Sequence, residues 1–286
     1  MEIKWNQVCG QAVEVDVKEQ NGVVWLSFPA LEKTGMVING FSTRHGGVSR
    51  GCYTSMNLSF SRDDEESAVM ENYRRMAEAL GVSVDSMVLS WQTHTANVRR
   101  ITEADKGKGI IKERDYQDVD GLITDIPGIT LVTFYADCVP LYFLDPKRKA
   151  IGLSHSGWRG TVRRMGAVTL KEMEKAYGTR AEDVIACIGP SICRSCFEVG
   201  EEVIEKVKKA FGPQGAESLF CAGKRSGKYQ LDLWEANKKV LEEAGVKPAN
   251  IHTAGICTMC NPDHLYSHRV MGNHRGNLAA FLSLRE

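Results

Sequence analysis

Residues 130–161 constrain the fold of this chain more than any other stretch. Three apolar runs, at 131–136, 139–144 and 150–154, are rich in β-branched and aromatic side chains, which suits buried strands. The last two flank Asp145-Pro146 and Lys147-Arg148-Lys149, turn chemistry that predicts a hairpin with residue 139 facing residue 155. Cys138 and His155 then share one open end of a sheet, with Asp137 beside them. Sheet ends that give way to Gly-rich turns commonly carry sites. From there Ser156-Gly157-Trp158-Arg159-Gly160-Thr161 leads into a helical pattern, apolar at Val162, Met165, Val168 and Met173 and ending at Tyr177-Gly178. A helix starting beside His155 predicts an anion site at its N-terminus, supplemented by Arg159 and Arg163.

The rest of the chain sets bounds. Its 286 residues are ample for a large core, and no repeat or low-complexity linker divides them, so a single compact domain over residues 1–286 is expected. Lys+Arg and Asp+Glu balance at 36 each, which leaves no global field to recruit nucleic acid or an anionic membrane. Residues 1–10 do not resemble a signal peptide, and no apolar run reaches membrane-spanning length. Nine cysteines, an odd number without a secretion signal, argue against a disulfide framework and for a reducing cytoplasm. Nothing in the sequence points to a protein partner.

Strands are expected at 23–28, 37–43, 86–92, 98–101, 120–124, 184–188, 229–231 and 251–256. Helices follow the acidic start at Asp63-Asp64-Glu65-Glu66, with Val69, Tyr73, Met76 and Leu80 facing inward, and span 201–211 and 233–244. Residues 257–275 read as irregular, and 278–284 close the chain. Strands outnumber helices without alternating with them, so the expected class is α/β in an α+β arrangement, with mixed sheets between helical layers and no doubly wound core.

Three constellations carry chemistry. His94 ends a strand, and with Cys138 and His155 it would make a His₂Cys metal set that leaves a fourth position open, the pattern of catalytic zinc. The same residues also fit a metal-free thiolate–imidazole nucleophile pair, with Asp137 or Asp120 as the orienting carboxylate. The third is the pair of C-x-x-C segments, Cys193–Cys196 and Cys257–Cys260. About sixty residues separate them and neither has zinc-ribbon flanks, so a second zinc is not expected there, nor a thioredoxin-like redox pair. His264, His268 and His274 read as polar loop residues, while Arg44 and Arg269 read as anion or substrate anchors. P-loop, G-x-G-x-x-G, H-E-x-x-H, G-x-S-x-G and zinc-deaminase signatures are missing.

Ten segments, in order, resemble the YfiH/YlmD-type laccase-domain family. Among them are Phe41-Ser42-Thr43-Arg44-His45-Gly46-Gly47, Ser55-Met56-Asn57-Leu58, Gln92-Thr93-His94, Ala136-Asp137-Cys138-Val139-Pro140, His155-Ser156-Gly157-Trp158-Arg159-Gly160 and Tyr266-Ser267-His268-Arg269. That family carries polyphenol oxidase or multicopper oxidoreductase labels and has been assigned purine nucleoside phosphorylase and adenosine deaminase activity. The resemblance implies mixed sheets in a cysteine-hydrolase-like fold, related to a domain of a bacterial deamidating toxin. It implies one zinc per chain on His94, Cys138 and His155, with His94, Cys138, His155 and Asp137 catalytic. It also implies purine nucleosides and phosphate as substrates, with Arg44, Asn57, Gln92, Arg159 and Arg269 binding them. Cys193 and Cys260 fall outside the matching segments. Copper is not expected: seven His without an H-x-H pair cannot build a trinuclear cluster, and one copper cannot carry four-electron oxygen reduction.

Overall fold

A computed structural model describes residues 3–6 and 10–286 of the chain. Residues 1, 2 and 7–9, within the 1–10 stretch considered above and including Cys9, lie outside the described residues.

Among the described residues, two six-stranded mixed sheets and a small three-stranded one make up the β-structure. The first runs, strand by strand, Asp16–Gln20, Val23–Ser27, Val37–Ser42, Leu278–Leu284, Thr130–Tyr135 and Met87–Leu89. The second runs Ile251–Thr253, Ile185–Ile188, Val139–Asp145, Ala150–Ser156, Gly121–Thr124 and Val98–Arg100. The Asp16–Gln20 strand was not expected from its charged sequence; it is an edge strand, paired to Val23–Ser27 through the two-residue Asn21-Gly22 turn with both turn residues at positive φ.

Period-two alternation decides which residues meet. Leu278, Ala280 and Leu282 face Leu122, Tyr142, Leu144, Ile151 and Leu153 in a core between the two sheets. Ala279 and Phe281 point the other way, where Val69, Tyr73, Met76 and Leu80 of the Glu66–Leu80 helix cover them. Val139, Leu141 and Phe143 face outward from the second sheet, beneath the helices Met165–Tyr177, Glu201–Ala216 and Leu233–Glu243. The order of layers is therefore helix, sheet, sheet, helices, as the α/β reading with mixed sheets anticipated.

Two local expectations are corrected. The central hairpin pairs Val139 with Ser156 and Pro140 with His155, one residue off the expected register. The turn is one residue shorter than anticipated: Asp145 accepts from the Lys147 and Arg148 N–H groups at 2.9 and 3.1 Å, Lys149 takes φ 49°, and Asp145 stays in the strand opposite Ala150. A one-residue slip matters, because it exchanges faces. The observed register puts residues 140 and 155 on the intersheet side, in line with Tyr142 and Leu153.

The helix after Gly157 is also broken. Trp158–Val162 forms a single turn, Arg164 sits at φ 61°, and Met165–Tyr177 starts afresh. The first turn is held in place by buried hydrogen bonds, Ser156 Oγ to Asn237 at 2.7 Å and Asn237 Nδ2 to Thr161 at 3.0 Å. The second segment instead packs Thr169 and Met173 on the strand at Gly152. One turn is too short to act as the anion-binding helix N-terminus that the sequence suggested.

Candidate metal centre and its cavity

The organising residue of the site is Asp120, fully buried at the start of the Gly121–Thr124 strand. Its carboxylate accepts from the backbone N–H groups of Thr93, His94 and Thr95 at 3.1, 3.1 and 2.8 Å and from the Thr95 hydroxyl at 2.7 Å. Those bonds hold His94 at φ 65°, a conformation that an unsupported β-substituted residue resists. Asp120 Oδ1 also lies 2.8 Å from His155 Nδ1. A carboxylate only accepts, so Nδ1 carries the proton and Nε2 is left for a ligand on its other side.

Cys138 follows Asp137, which is itself at φ 88°. The Asp137 carboxylate is pinned by the Thr258 hydroxyl at 2.6 Å and the Arg269 N–H at 2.7 Å. The bend carries Cys138 back over the hairpin end, against Gly157: a Cβ at 157 would stand 2.8 Å from Cys138 Sγ and 3.4 Å from His94. One ligand atom each from His94, Cys138 and His155 lies within 4.8 Å of the other two.

The electrostatics suit a cation. Burial works against both charges, yet the His155 and His94 rings pull the Cys138 thiol down to about 6. Burial likewise disfavours imidazolium at His155, but Cys138 and Asp120 raise it to about 9. Asp120 stays below the ordinary carboxylate range: burial opposes this, and His155 and Thr95 outweigh it. Without a metal the site is therefore a thiolate–imidazolium pair. His94, Cys138 and His155 Nε2, once deprotonated, would hold a metal as a His₂Cys donor set, one that suits zinc and would keep a position open.

That open side is a cavity of about 660 Å³ with His94, Asp137, Cys138 and His155 in its wall. Aromatic rings line much of the rest, among them Phe60, Phe134, Trp158 and Phe197. Three arginines that the sequence did not single out also line it: Arg114, which donates to the Ser90 carbonyl, and the pair Arg62 and Arg275. The Nε atoms of Arg62 and Arg275 are buried and without a hydrogen-bond partner, and among the described residues neither of these two forms an ion pair. Burial and the neighbouring Arg62 charge lower Arg275 to about 10. Arg275 Nη1 donates to the Gly276 carbonyl and to Asn277, and two guanidinium groups without a carboxylate partner among the described residues, each with a free Nε–H, suit an anion in this cavity.

The other anticipated binding residues fall in different places. Gln92 and Arg269 line the cavity. The Gln92 amide bridges Ser90 and Phe134, and Arg269 donates to the Cys196 and Glu198 carbonyls at 3.3 and 3.1 Å. Arg44 is not in the cavity wall; it donates to the Thr54 and Pro262 carbonyls and lies over the Tyr266 ring. Asn57 is fully buried behind the wall, tying Asp64, Ser59 and Asn277 together. Arg159 lies over Trp158 outside the lining. His268 lines the cavity too, with Nδ1 3.0 Å from the Gly272 carbonyl.

Comparison with known proteins agrees with this architecture. The chain is 34% identical over 254 residues to purine nucleoside phosphorylase YlmD of Bacillus subtilis, covering 87% of this chain and 89% of that protein. It is 36% identical over 264 residues to a purine nucleoside phosphorylase of Bacteroides thetaiotaomicron, covering 91% and 96%, and 36% identical over 241 residues to adenosine deaminase RL5 of an unknown prokaryote, covering 84% and 91%. The crystal structure of YlmD from Geobacillus stearothermophilus superposes with a TM-score of 0.87 at 31% identity, covering 96% of this chain and 100% of that one. YfiH from Bacillus licheniformis superposes with the same TM-score at 29% identity, covering 94% and 99%. Residues 38–285 match the family model described as multi-copper polyphenol oxidoreductase laccase, and the chain belongs to that family of enzymes.

Proposed function

We propose that this chain is a zinc-dependent purine nucleoside phosphorylase with adenosine deaminase activity, acting in the cytoplasm on adenosine, inosine, guanosine or methylthioadenosine. One observation carries the reading: a His94–Cys138–His155 donor set opens onto a cavity that is also lined by Arg62 and Arg275, whose buried Nε atoms have no hydrogen-bond partner. A cavity of this size, with aromatic rings beside convergent polar and charged groups, suits a nucleoside. The relatives' names supply the reaction classes.

Zinc on these three residues would supply Lewis acidity at the cavity floor. The protein's own residues divide the remaining work. Asp120 keeps the His155 proton on Nδ1 and both imidazole ligands oriented. Arg62 and Arg275 hold phosphate, and the aromatic wall holds the purine. In phosphorolysis a phosphate oxygen bonds C1′ as the bond to the purine nitrogen breaks, and the electron pair leaves with the base. Asp137, in the wall beside Cys138, carries a proton to or from the purine. Arg269 borders the substrate. Arg44, Asn57 and Arg159 act on binding indirectly, through the loops they fix.

The family description names copper, but the donor set favours one zinc. Two imidazoles and one thiolate form a single mononuclear site, whereas oxidase chemistry needs several coppers close together. Adenosine turnover with phosphate present and absent is the test. Adenine appearing only with phosphate, and inosine appearing regardless, both lost to a strong chelator, is the expected result. Turnover that survives chelation but is lost to thiol alkylation would replace this reading with a metal-free Cys–His hydrolase.

A further inference from the structure

The two C-x-x-C segments, 64 residues apart from Cys193 to Cys257, meet in space. Ile185–Ile188 and Ile251–Thr253 are neighbouring parallel strands, and each segment follows the C-terminal end of one of them. A bridge between Ser191 and Cys257 aligns the two loops. The chain then turns tightly at each pair: the Cys196 and Phe197 N–H groups donate to the Cys193 carbonyl at 3.1 and 2.9 Å, and Asn261 Nδ2 donates to the Cys257 carbonyl at 2.8 Å.

As a result the Sγ atoms of Cys193, Cys196, Cys257 and Cys260 all lie within 4.8 Å of one another. Cys196 and Cys260 are 3.4 Å apart. A tetrahedral zinc with Zn–S bonds of about 2.3 Å holds its sulfurs about 3.8 Å apart, so one ion fits among the four with little movement. The Cys193 N–H points at Cys257 Sγ, 3.3 Å away, an arrangement that stabilises sulfur as thiolate. Cys193 and Cys257 are buried, and Cys196 and Cys260 half-buried, so the ion would be closed off by protein instead of open to a cavity. Elsewhere in the molecule the buried Cys187 sits alone in the intersheet core, as a cysteine that only packs should.

We propose that Cys193, Cys196, Cys257 and Cys260 hold a second, structural zinc ion that clamps the loop after the Ile185–Ile188 strand to the loop after Ile251–Thr253. The inference does not depend on the proposed activity. Its position gives the clamp a purpose. Thr258, between two of the ligands, donates to Asp137. Ile192, next to another, donates to the Asp137 carbonyl at 3.0 Å, and Arg269 donates to the Cys196 carbonyl. The bend that presents Cys138 to the cavity is thus built on the two loops that the ion joins.

Metal content of the full chain, purified under reductant and measured by mass spectrometry, tests this. Two zinc ions per chain are expected in the wild type, one in Cys138→Ala and one in Cys196→Ser/Cys260→Ser. Should the double variant fail to fold, cadmium exchange of the wild type decides: thiolate-to-cadmium absorption should correspond to five sulfurs, and to four in Cys138→Ala. One zinc in the wild type that Cys138→Ala abolishes would overturn the inference. So would a Cys196–Cys260 disulfide found by peptide mapping of the wild-type protein as purified under reductant, before any metal is removed. One zinc that Cys138→Ala leaves in place would uphold it and count against the proposed function instead.

Discussion

Two sulfur-bearing clusters lie close together in this molecule, and they are built differently. At His94, Cys138 and His155 two imidazoles and one thiol converge from three separate stretches of chain and face a cavity. At Cys193, Cys196, Cys257 and Cys260 four like donors come from two loops and face one another. With a metal bound, the first set would leave a coordination position open and the second would close its own. Open, mixed-donor sites do chemistry; closed thiolate sites hold chain together. The difference teaches that donor type and remaining access, more than proximity to a pocket, separate the two roles.

The comparison breaks most directly at Cys138. Cys138→Ala should lower kcat/KM for adenosine by about a thousandfold, as expected when a Lewis acid worth several kcal/mol is lost, while thermal unfolding barely shifts. Cys196→Ser/Cys260→Ser should do the reverse, lowering the unfolding midpoint far more than it lowers activity per folded molecule. Equal effects of the two changes on activity would erase the distinction.

Asp120→Asn comes next. The amide cannot serve the His155 N–H and three backbone N–H groups as the carboxylate does, so metal affinity and kcat should fall about 10- to 100-fold, read by competition with a chelator. Arg275→Met should raise KM for phosphate about tenfold while leaving phosphate-independent deamination nearly unchanged. A parallel fall in both reactions would mean that the arginine serves the fold and not the anion.

The smallest effect concerns pH. In chelator-treated protein the Cys138 thiol, lowered to about 6, is thiolate above that pH and protonates as the pH falls through it. Alkylation of Cys138 should therefore have its midpoint near pH 6, against 9.0 for an ordinary thiol. A midpoint near the ordinary value would show that the imidazole rings do not pair with it.

Much of the first cluster was legible in the sequence, and almost none of the second. Apolar runs around Asp145-Pro146 marked the hairpin, and the Asp137-Cys138 and His155 positions at its end followed from that alone. The register was missed by one residue because the turn length depends on Asp145 capping its own turn, a side-chain choice that hydrophobic pattern does not encode. Periodicity continued the helix through Arg164, where two different packing demands break it. The cysteine pairs looked unrelated because parallel strand pairing brings together residues distant in sequence. Arg62 and Arg275 gave no signal, since a charge left unpaired inside a cavity resembles a surface charge until its surroundings are known. Conversely, Arg44 and Arg159 stood in conspicuous motifs but support loops and a ring.

The most direct test of the central claim is an anomalous-difference map collected across the zinc absorption edge from crystals of the wild-type protein. The account predicts a zinc peak bounded by His94 Nε2 or Nδ1, Cys138 Sγ and His155 Nε2, with its fourth side open to the cavity. A map with no peak there, the Cys138 sulfur resting on a protonated His155, would contradict it.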